Sequence, residues 1–109
     1  MTDRETIQEI VRRLVAASHP EQIILFGSRV RGEARSDSDV DLLVIESEPF
    51  GPQRSRLSEI YRLEMAIGRI PLATDLLVYS REEMERWRNS SQHVIGLALR
   101  EGEVLYARH

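Results

Sequence analysis

The chain has 109 residues, 41% of them hydrophobic and 30% charged, enough for one compact domain with one core. Its fifteen basic residues, all arginine, face eighteen acidic ones, and a net charge of −3 supplies no cationic excess for nonspecific binding to nucleic acid. Cysteine is absent, which excludes disulfides, thiolate zinc sites and a cysteine nucleophile.

Thr2 and Glu5 form a capping-box pattern ahead of Ile7, Ile10, Val11, Leu14 and Val15. Their 3,1,3,1 spacing predicts an amphipathic helix over roughly residues 3–17, stopped by Ser18, His19 and Pro20. Ile23 to Phe26 is short, apolar and β-branched, and reads as a buried strand ended by Gly27. Residues 27–38 form a polar loop with room for a brief helical turn. Val40 to Ile45 is a second strand, apolar nearly throughout and therefore central in its sheet. Pro49, Gly51 and Pro52 mark a turn. Leu57, Ile60, Leu63 and Ile67 then predict a helix from about Gln53 to Ile67, terminated by Gly68 and Pro71. Leu72 to Tyr79 is the third strand, and Ser80 with Glu83 makes a second capping box ahead of Met84 and Trp87. Val94, Ile95, Ala98 and Leu99 predict a last helix, and Val104 to Tyr106 a small closing strand. The order α-β-(α)-β-α-β-α-α describes one α/β domain over residues 1–109, a small mixed sheet with three core strands flanked by helices. Trp87, Met84 and Tyr61 read as core or interface packing, and the three histidines are too scattered for a metal triad.

Carboxylates stand where a strand disfavours them. Asp39 and Asp41 open the second strand on one face, with Cα atoms roughly 6.6 Å apart. Asp75 sits inside the apolar third strand. Taken singly, Asp39 reads as a turn or cap residue, and Asp75 as a bulge or an arginine's partner. Taken together on neighbouring strands, each pair ~4 Å apart would repel by ~4 kcal/mol at an effective dielectric of 20. A divalent cation offsets that most economically, and oxygen-only ligands favour Mg²⁺ or Mn²⁺ over zinc.

Gly27 and Ser28 directly follow the first strand. A glycine lets the backbone approach a ligand, and free amides with a hydroxyl suit a phosphate oxygen, although Gly-Ser is also an ordinary turn. Two other motifs fail. Asp37, Asp39, Asp41 and Glu48 have a calcium-loop spacing, but Leu42 occupies the glycine position inside a strand. Gly27 and Gly32 have P-loop spacing, but Glu33-Ala34 replaces Lys-Ser/Thr.

Gly27-Ser28-Arg29-Val30-Arg31-Gly32, ten residues from Ser28 to the Asp39-Val40-Asp41 run, and Leu42-Leu43-Val44 after it resemble the signature of the DNA polymerase β-like nucleotidyltransferases. The match is to the minimal nucleotidyltransferase (MNT) domains, over essentially the full chain. Val30 stands where the family commonly has alanine. The resemblance implies that Gly27 and Ser28 hold the terminal phosphates of a nucleoside triphosphate. It implies that Asp39, Asp41 and Asp75 are catalytic and ligate two Mg²⁺ ions, with Mn²⁺ as the alternative, and that Asp75 helps deprotonate the acceptor hydroxyl. Arg29 and Arg31 become candidate nucleotide-binding residues, and Arg35 a further phosphate clamp. The plain alternative for all three is a solvated loop arginine.

Larger relatives carry extra acceptor-binding domains, which this chain is expected to lack, so its acceptor docks on an open face or arrives on another protein. MNT proteins are commonly paired with a helical HEPN toxin. The resemblance therefore implies an antitoxin that moves AMP from ATP onto a hydroxyl of that toxin, with tyrosine the favoured acceptor. The alternatives are a binding module that neutralises its toxin by occlusion alone, and transfer to a small molecule. The charged N-terminus and the lack of an apolar run of ~18 residues point to the cytoplasm and to no membrane partner. Association with itself or with a partner is also expected of such an open domain.

Overall fold

The computed structural model describes residues 2–35 and 38–108. Asp37, the first position of the rejected calcium-loop pattern, lies outside them. Helix α1 spans Asp3–Ser18. The Thr2 hydroxyl accepts from the Glu5 amide (3.1 Å) while the Glu5 carboxylate accepts from the Thr2 amide (3.0 Å), so the predicted capping box is formed. His19 ends the helix in a left-handed conformation (φ 47°). Strand β1, Gln22–Phe26, leads into a single turn of helix, α2, at Ser28–Arg31. Strand β2 runs Val40–Glu46 and strand β3 runs Thr74–Ser80. Between them lies helix α3, Arg56–Ile67. Helices α4 (Arg81–Trp87) and α5 (Val94–Glu101) precede strand β4, Glu103–Ala107.

The sheet order is β3-β2-β1-β4, with β2 parallel to β3 and the other neighbours antiparallel. The sheet is mixed and β2 is interior, as its nearly continuous apolar run implies. The expected closing strand is a full fourth member of the sheet, lying against β1. Alternation divides the core into two layers. Val40, Leu42, Val44, Leu76 and Val78 meet Ile10 and Leu14 of α1 and Leu63 and Ile67 of α3. Leu43, Ile45 and Ile24 meet Ile95 and Ala98 of α5 on the other face. Among the described residues, no helix is long and apolar enough to cross a membrane.

Two expectations require correction. Helix α3 starts at Arg56, not near Gln53, because Gly51 and Arg54 exchange backbone hydrogen bonds (both 3.1 Å) and Ser55 supplies the N-cap. With that start, Leu57 points outward and is 78% exposed, in line with Tyr61 and Met65, while Glu59, Leu63 and Ile67 face inward. Tyr61 is therefore on the surface, which removes core packing and leaves interface packing of the two alternatives. Trp87 is also partly exposed and stacks on His93, with ring centroids 4.7 Å apart. His93 itself caps α5 by accepting from the Ile95 amide (3.1 Å).

The end of β2 remote from the aspartates buries a charge. Glu46 is 3% exposed and is held by the Arg54 guanidinium, which also pairs with Glu48 (2.8 Å) and approaches Glu59 (3.6 Å). Arg62 grips Glu59 through two bonds (2.9 and 2.8 Å). Burial first, then the neighbouring Glu59 carboxyl, pushes the Glu46 carboxyl up to about 7. The Glu59 carboxyl moves down, chiefly through Arg62.

Candidate active site

One end of the sheet gathers most of the residues singled out from the sequence. β1 leaves the sheet there at Phe26, and β2 and β3 enter it. In the register, Phe26 lies opposite Asp41 and Asp41 lies beside Asp75. Alternation puts Asp41 and Asp75 on the face of Leu43, Ile45 and Leu77, beyond the cover that α4 and α5 provide. Asp39 stands just outside β2 and is exposed, as is Asp75, whereas Asp41 is half-buried.

The three carboxylates share one electrostatic field. The Asp41 carboxyl lies above its ordinary range because of burial first, then the charge of Asp75, then that of Asp39. Arg31 and Arg29 oppose these effects. Among the described residues, no three acidic or imidazole side chains close into a ready-made metal cage. The donor chemistry nevertheless fits a hard divalent ion. Two carboxylates sit side by side in the ladder with a third at its mouth, all of them oxygen donors.

Gly27 is shaped by the same carboxylate. Its φ of +82° is one that side-chain-bearing residues rarely adopt, and a Cβ there would lie 2.3 Å from Asp41 Oδ2. Only glycine lets the strand end pass this close to the carboxylate. Its carbonyl accepts from the Val30 and Arg31 amides (3.2 and 3.3 Å), starting α2. The Ser28 and Arg29 amides precede these first bonds, and no hydrogen bond among the described residues engages the Ser28 hydroxyl. A groove of about 230 Å³ between α2 and α5, lined by Phe26, Gly27, Val30, Arg31, Val94 and Leu97, adjoins this turn. The contribution of α5 is not visible in sequence, where Val94 reads simply as part of a helix face and Leu97 carries no signal.

The arginines divide. Arg31 is exposed and pairs with Glu33 (3.2 Å). Arg35 offers its backbone amide to the Ser38 hydroxyl (2.8 Å). Arg29 is tied at both ends, to Asp3 (3.1 Å) and to the Ser38 carbonyl (2.6 Å), with its side chain only 10% exposed.

A family model described as "Nucleotidyltransferase domain" matches residues 4–92. Among solved structures, a candidate nucleotidyltransferase from Sulfolobus solfataricus superposes with a TM-score of 0.66 at 20% identity, over 95% of this chain and 79% of that one. A toxin–antitoxin structure with AMP-PNP superposes with a TM-score of 0.56, also at 20% identity, over 94% of this chain and 74% of that one. No curated protein matches the sequence.

Proposed function

This chain belongs to the nucleotidyltransferase domain family, and from that premise we propose that it is an antitoxin of the MNT type. It moves AMP from ATP onto a hydroxyl, favouring a tyrosine, of a helical HEPN-class toxin. The observation that carries this reading is the pairing of Asp41 with Asp75 at the end of the sheet where Gly27 and Ser28 leave β1.

In this reading Gly27, by lacking a side chain, leaves room for phosphate beside Asp41, and the Ser28 hydroxyl and amide donate to phosphate oxygens. Arg31 adds positive charge at the same mouth. Asp39, Asp41 and Asp75 would hold two Mg²⁺ ions, or Mn²⁺, which supply charge stabilisation for the entering and leaving oxygens of an in-line displacement. The acceptor hydroxyl attacks the α-phosphorus, a new O–P bond forms, and the bond to pyrophosphate breaks. The hydroxyl proton passes to Asp75. Residues 1–109 act as one domain, and its open carboxylate face receives the partner.

A toxin–antitoxin structure with AMP-PNP contains a chain of similar fold, which is in keeping with a toxin-linked role and an adenine nucleotide. The test incubates the chain with the product of the adjacent gene, labelled ATP and Mg²⁺. Label is expected on that protein and is expected to vanish with Asp41→Asn. Protection from the toxin that survives Asp39→Asn and Asp41→Asn without any label would replace transfer by occlusion. Label on a metabolite with no protein present would shift the acceptor to a small molecule.

A further inference from the structure

Asp39 has no place in the β ladder, so something other than sheet pairing must hold it beside Asp41. Hydrogen bonds hold the residue on either side of it. The Val40 amide on its C-terminal side donates to Ala73 O (2.9 Å), at the entry to β3. On its N-terminal side the Ser38 carbonyl accepts from the Arg29 guanidinium (2.6 Å), while the Ser38 amide and hydroxyl are engaged by Arg35 (3.0 and 2.8 Å). The other end of the Arg29 fork is anchored on Asp3 in the first turn of α1 (3.1 Å).

We infer that Arg29 is a positioning residue, a strut from α1 that fixes the backbone in front of Asp39, and not a clamp on the nucleotide's phosphates. The inference rests on the nucleotidyltransferase reading for what Asp39 does, but the strut itself is a feature of the fold. A guanidinium can serve a phosphate only by turning its donors towards it. Turning those of Arg29 would break two bonds at once and leave the Ser38 carbonyl without its partner, whereas the exposed Arg31 is paired, among the described residues, with a neighbouring glutamate alone. The planar fork also explains the residue type. A lysine ammonium is a point charge on a flexible stem and cannot span Asp3 and the Ser38 carbonyl with the same rigidity.

The strut can be broken at either end, and Asp3 belongs to α1 and not to the Gly27–Ser28 turn. The test therefore compares Arg29→Lys and Asp3→Ala with the parent chain in two measurements. The first is amide hydrogen exchange at Ser38 and Val40, which needs no activity. The second is the affinity for Mn²⁺ in the presence of AMP-PNP, read by electron paramagnetic resonance, alongside affinity for AMP-PNP without metal. Both variants are expected to speed exchange at Ser38. Arg29→Lys is expected to weaken Mn²⁺ binding roughly 10-fold or more, as loss of a group orienting a metal ligand does, with metal-free nucleotide affinity unchanged. Asp3→Ala should shift both readouts in the same direction, by less.

Unchanged exchange at Ser38 in both variants would overturn the strut. So would a variant pattern in which Arg29→Gln weakens metal-free nucleotide binding while Arg29→Lys and Asp3→Ala behave like the parent, because that is the signature of a charge clamp. If the parent itself binds neither Mn²⁺ nor AMP-PNP, the nucleotidyltransferase reading fails instead, and the exchange comparison still decides whether the strut exists.

Discussion

Replacing Glu46 with glutamine should stabilise the protein above neutral pH and flatten its stability profile between about pH 4.5 and 7. In the folded chain this carboxyl keeps its proton up to about 7, against an ordinary value of 4.5. Between those two values the folded state binds more protons than the unfolded state, so stability falls as pH rises through the window. One proton of difference is worth ~1.4 kcal/mol per pH unit, which gives a ceiling of ~3 kcal/mol for Glu46 alone. Glu59 works the other way. Its lowered carboxyl adds stability above its unfolded value and loses it as pH falls. The two carboxyls influence each other's protonation, so the net gain for Glu46→Gln at pH 8 should be about 1–2 kcal/mol. Glutamine can still accept from Arg54, and its amide can donate to Glu59 at every pH. Urea unfolding at several pH values measures the effect. Parallel profiles for parent and variant, or a variant less stable at pH 8, would refute this account of the buried carboxyl.

Asp41→Asn should abolish nucleotidyl transfer yet raise stability by about 0.5–1 kcal/mol, because it removes a charge pressed by Asp39 and Asp75. Added salt should shrink that gain, which thermal unfolding at two ionic strengths would show. Gly27→Ala places a side chain at φ +82° against the Asp41 carboxylate. It should cost about 2 kcal/mol and remove the thermal stabilisation produced by ATP with Mg²⁺. Ser80 is 1% exposed and completes the capping box of α4 with Glu83, so Ser80→Ala should cost about 1–2 kcal/mol in urea unfolding, and Ser80→Thr much less.

Periodicity and capping carried most of the fold into view before any coordinates. Thr2 with Glu5 and Ser80 with Glu83 mark helix starts because a hydroxyl and a carboxylate three residues apart satisfy two orphan amides together. The nearly continuous apolar run Val40–Ile45, interrupted by Asp41, marks an interior strand because both of its faces are covered. What stayed hidden depends on contacts distant in sequence. Glu46 closes an apolar run and looks like a strand terminus; only its neighbours Arg54 and Glu59, from a turn and a helix further on, make it a buried charge. The outward position of Leu57 follows from a helix start set by Ser55 and the Gly51–Arg54 turn, which spacing alone does not reveal. The aspartates were legible as a constellation, since strand alternation shows which of them can share a face. The Arg29 tether was not, because its partners lie 26 residues before it and 9 after it in the chain.

The strand that delivers Gly27 is hemmed on one side by β2 and on the other by residues 103–107, nearly eighty positions downstream. The glycine turn and the chain's last strand thus belong to a single cooperative zipper. Detaching β4, by nicking before Glu103 or by a bulky fusion that prises it loose, would leave β1 as a frayed margin and slacken the turn it feeds. Protease susceptibility near Glu103 accordingly serves as a remote gauge of how firmly Gly27 is held.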